Sequence, residues 1–222
     1  IVAGPCTAIT GPAEEFQLPL GFAEAKPGGT FVKIGVGVLR RPDDTAYSAF
    51  RLYELVDPGR WTVQSYSDRI EFTHELKAPG SDYAYVYKKT VRLTPGKPQM
   101  VLEHTLRNTG RLPIGSNVYG HNFLYLDRQP PGPDFEVAFP FEVKTPARPP
   151  DPSFARIEGR RFVYLKQLQD QDRVSASIEG FGASPSDYNF LVANRKTGAG
   201  VRITGDRPLS RIAMWSIRTV LA

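Results

Sequence analysis

Short runs of alternating apolar and polar residues recur along the chain, separated every ten to fifteen residues by glycine or proline. Successive side chains of an extended strand point to opposite faces, so alternation of this kind predicts half-buried strands joined by turns. Phe31–Leu39 reads as one strand. Val32, Ile34, Val36 and Val38 form a core face, and Phe31, Lys33, Gly35, Gly37 and Leu39 form the other. Two glycines on one face mark either space for a ligand near the backbone beside a cation, or a bulge under a tightly packed neighbour. Arg69–Leu76 places Ile70, Phe72, His74 and Leu76 together. Tyr83–Val91 aligns Tyr83, Tyr85 and Tyr87, and Met100–Arg107 aligns Met100, Leu102, His104 and Leu106. Asn117–Leu126 has Asn117, Tyr119, His121, Phe123 and Tyr125 on one face, with Val118, Gly120, Asn122, Leu124 and Leu126 on the other. Further strands are expected at Val137–Val143, Arg161–Leu165, Val174–Gly180, Tyr188–Ala193, Gly200–Thr204 and Arg211–Arg218.

No long amphipathic helix, fixed-period repeat or low-complexity tract interrupts this pattern. The proline-rich stretches Arg128–Pro133 and Thr145–Pro152 read as connections within a domain. More than ten strands with almost no helix predict an all-β fold, a large antiparallel β-sandwich forming a single domain over residues 1–222. One face of such a sheet can stay wet.

Composition narrows the function classes. Hydrophobic residues are 41% and charged residues 23%, the balance of a core-forming globular chain. No stretch approaches the roughly 20 apolar residues of a membrane-spanning helix. The net charge is +5, with cations scattered in pairs such as Arg40–Arg41, Lys88–Lys89 and Arg160–Arg161. That pattern argues for a solvated surface and against a nucleic-acid partner. Cys6 is the one cysteine, so it forms no internal disulfide and supplies no zinc site. Gly35-Val36-Gly37 lies inside an expected strand and opens no helix, which excludes a dinucleotide fingerprint. No nucleophile elbow is present, and no metal or other cofactor is expected. The compartment is left open between cytoplasm and periplasm or exterior.

Three histidines remain as candidate chemistry. His74 and His104 share their faces with aliphatic residues and Phe or Met, and read as core residues. His121 stands among Tyr119, Phe123, Tyr125 and Asn117. Aromatic rings offer apolar platforms with polar tips, suited to the C–H faces and hydroxyls of a sugar, and histidine exchanges protons near neutral pH.

The segment Met100–Asp127, MVLEHTLRNTGRLPIGSNVYGHNFLYLD, resembles the aldose 1-epimerase (galactose mutarotase) superfamily. There a strand ends in Asn within a "tNts" turn, here Asn108-Thr109-Gly110, and a following strand carries His-x-Phe, here His121-Asn122-Phe123. Asp187-Tyr188-Asn189-Phe190 is similar to the family's Asp-His-Asn-Phe, and residues 198–206 are similar to a later family strand. The resemblance covers roughly the C-terminal two-thirds of the chain. It implies a supersandwich that interconverts sugar anomers by ring opening, without a metal. His121 would be the acid and Asp187 would hold hydroxyls, with Asn122, Tyr119, Lys33, Glu15, Trp215 and Arg218 as candidates for the pocket wall. Trp215 reads as a sugar-stacking or a core residue. Lys33 and Arg218 read as contacts to an acidic or phosphorylated sugar or as surface charges, and Glu15 as a substitute anchor or a turn cap. The family's early Arg and its His-Gly-Gly segment have no counterpart; Gly11–Phe16 and Lys33 stand in those regions. The family's basic Glu would follow Ala222, so the domain is expected to be incomplete at one or both termini. The expected partner is a small sugar or the sugar end of a glycan. A non-catalytic carbohydrate-binding domain, a domain of a polysaccharide-degrading enzyme and a ligand-free interaction sandwich are the alternatives.

Overall fold

The structure is a computed structural model and describes residues 11–144 and 147–221. Cys6, and Thr145 and Pro146 of the second proline-rich connection, lie outside the described residues. The described chain is all-β, with antiparallel ladders in the sheets of both units. In order, its strands are β1 (Gly11–Phe16), β2 (Thr30–Lys33), β3 (Gly37–Arg40), β4 (Leu55–Asp57), β5 (Arg60–Ser65), β6 (Arg69–Lys77), β7 (Ala84–Leu93), β8 (Met100–Asn108) and β9 (Val118–Phe123). They are followed by β10 (Phe135–Ala138), β11 (Ala155–Glu158), β12 (Arg161–Tyr164), β13 (Arg173–Ile178), β14 (Asn189–Asn194), β15 (Gly200–Thr204), β16 (Ile212–Ile217) and β17 (Val220–Leu221). Two single-turn 3₁₀ segments, Leu126–Arg128 and Pro185–Asp187, are the described helical pieces. No described helix is long and apolar enough to cross a membrane. The chain forms two compact units, a central one over Glu14–Gly120 and a second built from residues 121–221 with 11–13.

In the central unit, the sheet β2-β3-β4 packs on the sheet β5-β6-β7-β8. Their shared core contains Phe16, Leu20, Val32, Ile34, Val38, Leu76, Ala78, Tyr85 and Tyr87. The alternation read from the sequence explains which side is buried. His74 lies opposite Tyr87 and Leu76 opposite Tyr85, so one apolar row crosses β6 and β7. The other face carries Glu71, which bridges Arg69 and Lys88 at 2.9 and 2.7 Å.

His74 is fully buried in this core, and its hydrogen bonds specify its tautomer. Nε2 lies 2.9 Å from the Pro58 carbonyl oxygen, which can only accept, so Nε2 carries the proton. Nδ1 therefore accepts from the Tyr85 hydroxyl at 3.1 Å, and that hydroxyl accepts from the Gly35 N–H at 3.1 Å. Burial pushes the imidazole below its ordinary pKa and the Tyr85 phenol up to about 12. Trp61 stacks on the imidazole at 4.3 Å. Gly59 takes φ of +63°, and a Cβ there would sit 2.6 Å from His74 Nε2, so only glycine fits.

The expected single strand Phe31–Leu39 is instead the hairpin β2–β3. Lys33 pairs with Gly37, and Val36 N–H donates to the Lys33 carbonyl at 3.0 Å. Gly35 and Gly37 have φ of +78° and +141°, conformations that side-chain-bearing residues adopt with strain, so the glycines make the turn. A Cβ on Gly37 would also lie 2.2 Å from the Asp57 carbonyl oxygen. The close approach that glycine permits is therefore that of β4. Val36 is exposed while Ile34 is buried, because the turn breaks the alternation.

In the second unit, the sheet β11-β12-β10-β14-β15 faces the sheet β13-β16-β17. Phe135, Val137, Phe162 and Val192 from the first meet Val174, Ala176, Ile178 and Met214 from the second. The Tyr164 hydroxyl donates to Ser216 Oγ at 2.9 Å, so a buried hydrogen bond also joins the layers. The strand expected over Val137–Val143 stops at Ala138, before Pro140. Phe139 and Phe141 still enter the core.

Replacing Tyr85 with Phe leaves His74 Nδ1 and the Gly35 N–H without their partner. The expected loss is about 2–4 kcal/mol, at ~1–2 kcal/mol per buried orphan group. Urea unfolding of Tyr85→Phe against wild type measures it; a change under about 0.5 kcal/mol would contradict this account.

Candidate functional site around His121

β9 puts His121 and Phe123 on one face, two residues apart, and their rings stack at 4.0 Å with an interplanar angle of 15°. Beyond Phe123, Leu124 exchanges two backbone hydrogen bonds with Leu221 of β17, at 2.8 and 2.9 Å. β17 pairs in turn with β16, the strand that carries Trp215. That ladder brings the Trp215 ring edge-on to His121 at 6.4 Å. The Arg173 guanidinium lies 5.3 Å from the Trp215 ring centre. Trp215 Nε1 is buried without a hydrogen-bond acceptor among the described residues, whereas buried indole N–H groups ordinarily find one.

Burial lowers the pKa of His121, so its imidazole is neutral at pH 7. A neutral, half-buried imidazole between two aromatic rings can donate from one nitrogen and accept at the other. The rings beside it offer faces suited to C–H groups of a ligand, and Trp215 contributes a donor.

The other expected site residues fall in different surroundings. Asn122 is half-buried, and alternation places it on the face of β9 opposite His121. Tyr119 belongs to the central unit and is exposed. Lys33 and Glu15 are also in the central unit and pair with each other at 3.2 Å. Lys33 is only 5% exposed; it donates to the Gln17 carbonyl at 3.0 Å and lies 5.6 Å from the Tyr47 ring centre. It is therefore a buried, satisfied cation and not a surface charge. In the second unit, Asp187 ends a 3₁₀ turn capped by Ser184, and its Oδ2 accepts the Gly182 N–H at 2.6 Å. Arg218 is exposed and pairs with Asp170 at 3.1 Å. Asn108 closes its turn on both sides, accepting from the Gly110 N–H at 2.9 Å and donating to the Leu112 carbonyl at 2.8 Å. A Cβ on Gly110 would lie 2.2 Å from the Asp82 carbonyl oxygen. The Asn108-Thr109-Gly110 motif is thus a steric and hydrogen-bonding device of the turn.

Two polar clusters escaped the sequence reading. Asp127, with φ of +54° beside Arg128 at +56°, accepts from Thr197 Oγ1 and from Asn194 Nδ2. The fully buried Asn194 also donates to Gln129 Oε1 at 3.1 Å. In the central unit, Glu14 meets Lys89 at 2.7 Å and His104 Nε2 at 3.1 Å, and His104 Nδ1 lies 2.8 Å from the Tyr87 hydroxyl. Burial raises the Glu14 pKa, but hydrogen bonds from His104 and Lys89 outweigh it and hold the carboxyl below its ordinary value. Burial and the Glu14 charge push Tyr87 up to about 12. His104 is thus tied into a polar network at the core's edge, a role its Met–Leu–Leu neighbours in sequence did not signal. The partners that make each cluster are brought in from other strands and loops. Two surface hollows of about 410 and 310 Å³ lie in the central unit, one around the Lys77–Asp82 turn and one between Arg60, Glu75 and Tyr85. Neither includes an expected site residue. Among the described residues, no group of His, Cys, Asp and Glu is arranged to hold a metal ion.

The direction of the His121 shift fixes a pH dependence. The folded pKa is below the unfolded value of about 6.5, so the unfolded chain binds the proton first as pH falls. The contribution to stability is complete above that value and is lost as pH drops through it toward the folded pKa. NMR titration of the His121 ring protons is expected to give a midpoint below 6.5; a midpoint above it would overturn the burial argument. Compared with protein-family models, curated proteins and solved structures, the chain matches none of them.

Proposed function

We propose that this chain is a carbohydrate-directed protein of the aldose 1-epimerase kind, with His121 as its proton donor. The observation that carries the reading is the half-buried His121 imidazole stacked on Phe123 at 4.0 Å with the Trp215 ring beside it. Sugars present apolar C–H faces next to hydroxyls, and aromatic walls with a nearby titratable group recognise both. The motif order Asn108-Thr109-Gly110, His121-Asn122-Phe123 and Asp187-Tyr188-Asn189-Phe190 supports the same reading.

In the reaction, a base takes the proton of the anomeric hydroxyl while His121 protonates the ring oxygen. The C1–O5 bond breaks, the aldehyde rotates about C1–C2, and closure on its other face returns both protons. Because burial lowers the His121 pKa, its imidazolium is a stronger acid than an exposed one, though less populated at pH 7. Phe123 and Trp215 limit water beside the imidazole. The base implied by the resemblance is a glutamate.

NMR exchange spectroscopy between α and β anomers, on the full-length protein with neutral, acidic and phosphorylated aldoses, tests the proposal. Acceleration is expected for one class and should fall roughly 10²–10⁴-fold in His121→Ala. Sugar binding without acceleration would mean a non-catalytic carbohydrate-binding role. No binding and no acceleration across the panel would reject the reading.

A further inference from the structure

We propose that the side of the central unit where β4 and β5 end its two sheets is a self-association surface, and that a second copy of this chain joins by antiparallel pairing of β5 with β5. Among the described residues, β4 and β5 are both edge strands. They are joined through Pro58 and Gly59, so the two sheets end on the same side. β5 pairs with β6 through six consecutive register positions without a bulge. Its outer edge is correspondingly regular.

Exposed sheet edges are normally blunted by lysine, proline, bulges or inward-pointing charge, because unpaired N–H and C=O groups otherwise recruit another strand. β5 has none of these devices; its single charge, Arg60, stands at one end. The edge strand on the other side of the same sheet, β8, carries Glu103, His104 and Arg107. Along the β4–β5 side the apolar residues stay in water: Trp61 is 42% exposed, Val63 57%, Leu55 49% and Val56 42%. The loop leading into β4 adds Phe50 and Leu52, at 100% and 98% exposure. That loop is held in place, with the Arg51 guanidinium gripping the Asp43 carboxylate at 2.6 and 2.9 Å and the Ser48 N–H on the Tyr53 hydroxyl at 3.0 Å. Apolar residues held rigidly in water on one side of a fold mark a protein-binding surface.

The occupant follows from the pairing chemistry of β5 itself. A twofold axis at Thr62 sets Trp61 against the partner's Val63 on the face that continues to Phe72. It sets Arg60 against the partner's Gln64, and Thr62 against the partner's Thr62, on the other face. No like charges meet, and aromatic–β-branched and Thr–Thr pairs are favourable cross-strand neighbours. A surface that pairs with its own copy about a twofold closes on itself as a dimer and does not propagate into a fibre.

Sedimentation velocity on the chain at micromolar concentration is expected to give twice the monomer mass. Val63→Lys, at an exposed position, should give the monomer with an unchanged far-UV circular dichroism spectrum, whereas Thr105→Lys on β8 should leave the dimer intact. Independently, Thr62→Cys in a Cys6→Ser background should form an intermolecular disulfide under mild oxidation, because directly opposed strand residues have the Cα separation a disulfide needs. A monomeric wild type, or a dimer that survives Val63→Lys, would overturn the proposal.

Discussion

The central unit depends on one buried polar chain, running from the Gly35 N–H through the Tyr85 hydroxyl and the His74 imidazole to the Pro58 carbonyl. It ties three places together: the β2–β3 turn, the middle of β6–β7 and the link from β4 to β5. Each of its groups is satisfied, which is the condition for burying polar atoms without penalty. The chain also explains constraints that look unrelated. Gly59 must be glycine because a Cβ would strike His74, and Gly35 turns so that its N–H reaches Tyr85. Trp61 is half-exposed on an edge strand because it stacks on the imidazole from that side.

The surroundings of the three histidines separate their roles. His74 has both nitrogens committed to a fixed tautomer and no exposure, so it specifies packing. His104 is tied through Nε2 to a carboxylate that Lys89 also holds, so it anchors an ion-pair network. His121 sits beside aromatic rings, where burial lowers its pKa. The proposed proton exchange with a ligand uses that last setting, an imidazole desolvated beside aromatic rings. The proposed sugar chemistry rests on that contrast.

Much of the fold was legible in the chain. β6, β7, β8, β15 and β16 follow the alternating pattern to within a residue or two, because in a two-layer sheet protein the period-two pattern states which face is buried. The placement of His121 and Phe123 on one face was legible for the same reason, since residues two apart on a strand are neighbours. The Phe31–Leu39 reading went wrong where alternation and turn chemistry compete. Val32, Ile34, Val36 and Val38 keep the period, yet Gly35 and Gly37 allow a backbone reversal that no side-chain pattern records. β4, β5 and β11 are edge strands of three, six and four residues, and alternation as brief as Trp61–Val63 or Ala155–Ile157 does not by itself mark a strand.

By itself, the sequence determined an all-β architecture and an aromatic setting for His121, because both follow from neighbours one and two residues apart on a strand. Only the tertiary structure decided the partners that lie far along the chain. Trp215 beside His121, Glu15 on Lys33, Asp170 on Arg218 and Glu14 on His104 are each set by strand order, loop path and register. Local pattern carries no information about those, because a strand's own residues fix its faces and not which strand or loop lies next to it.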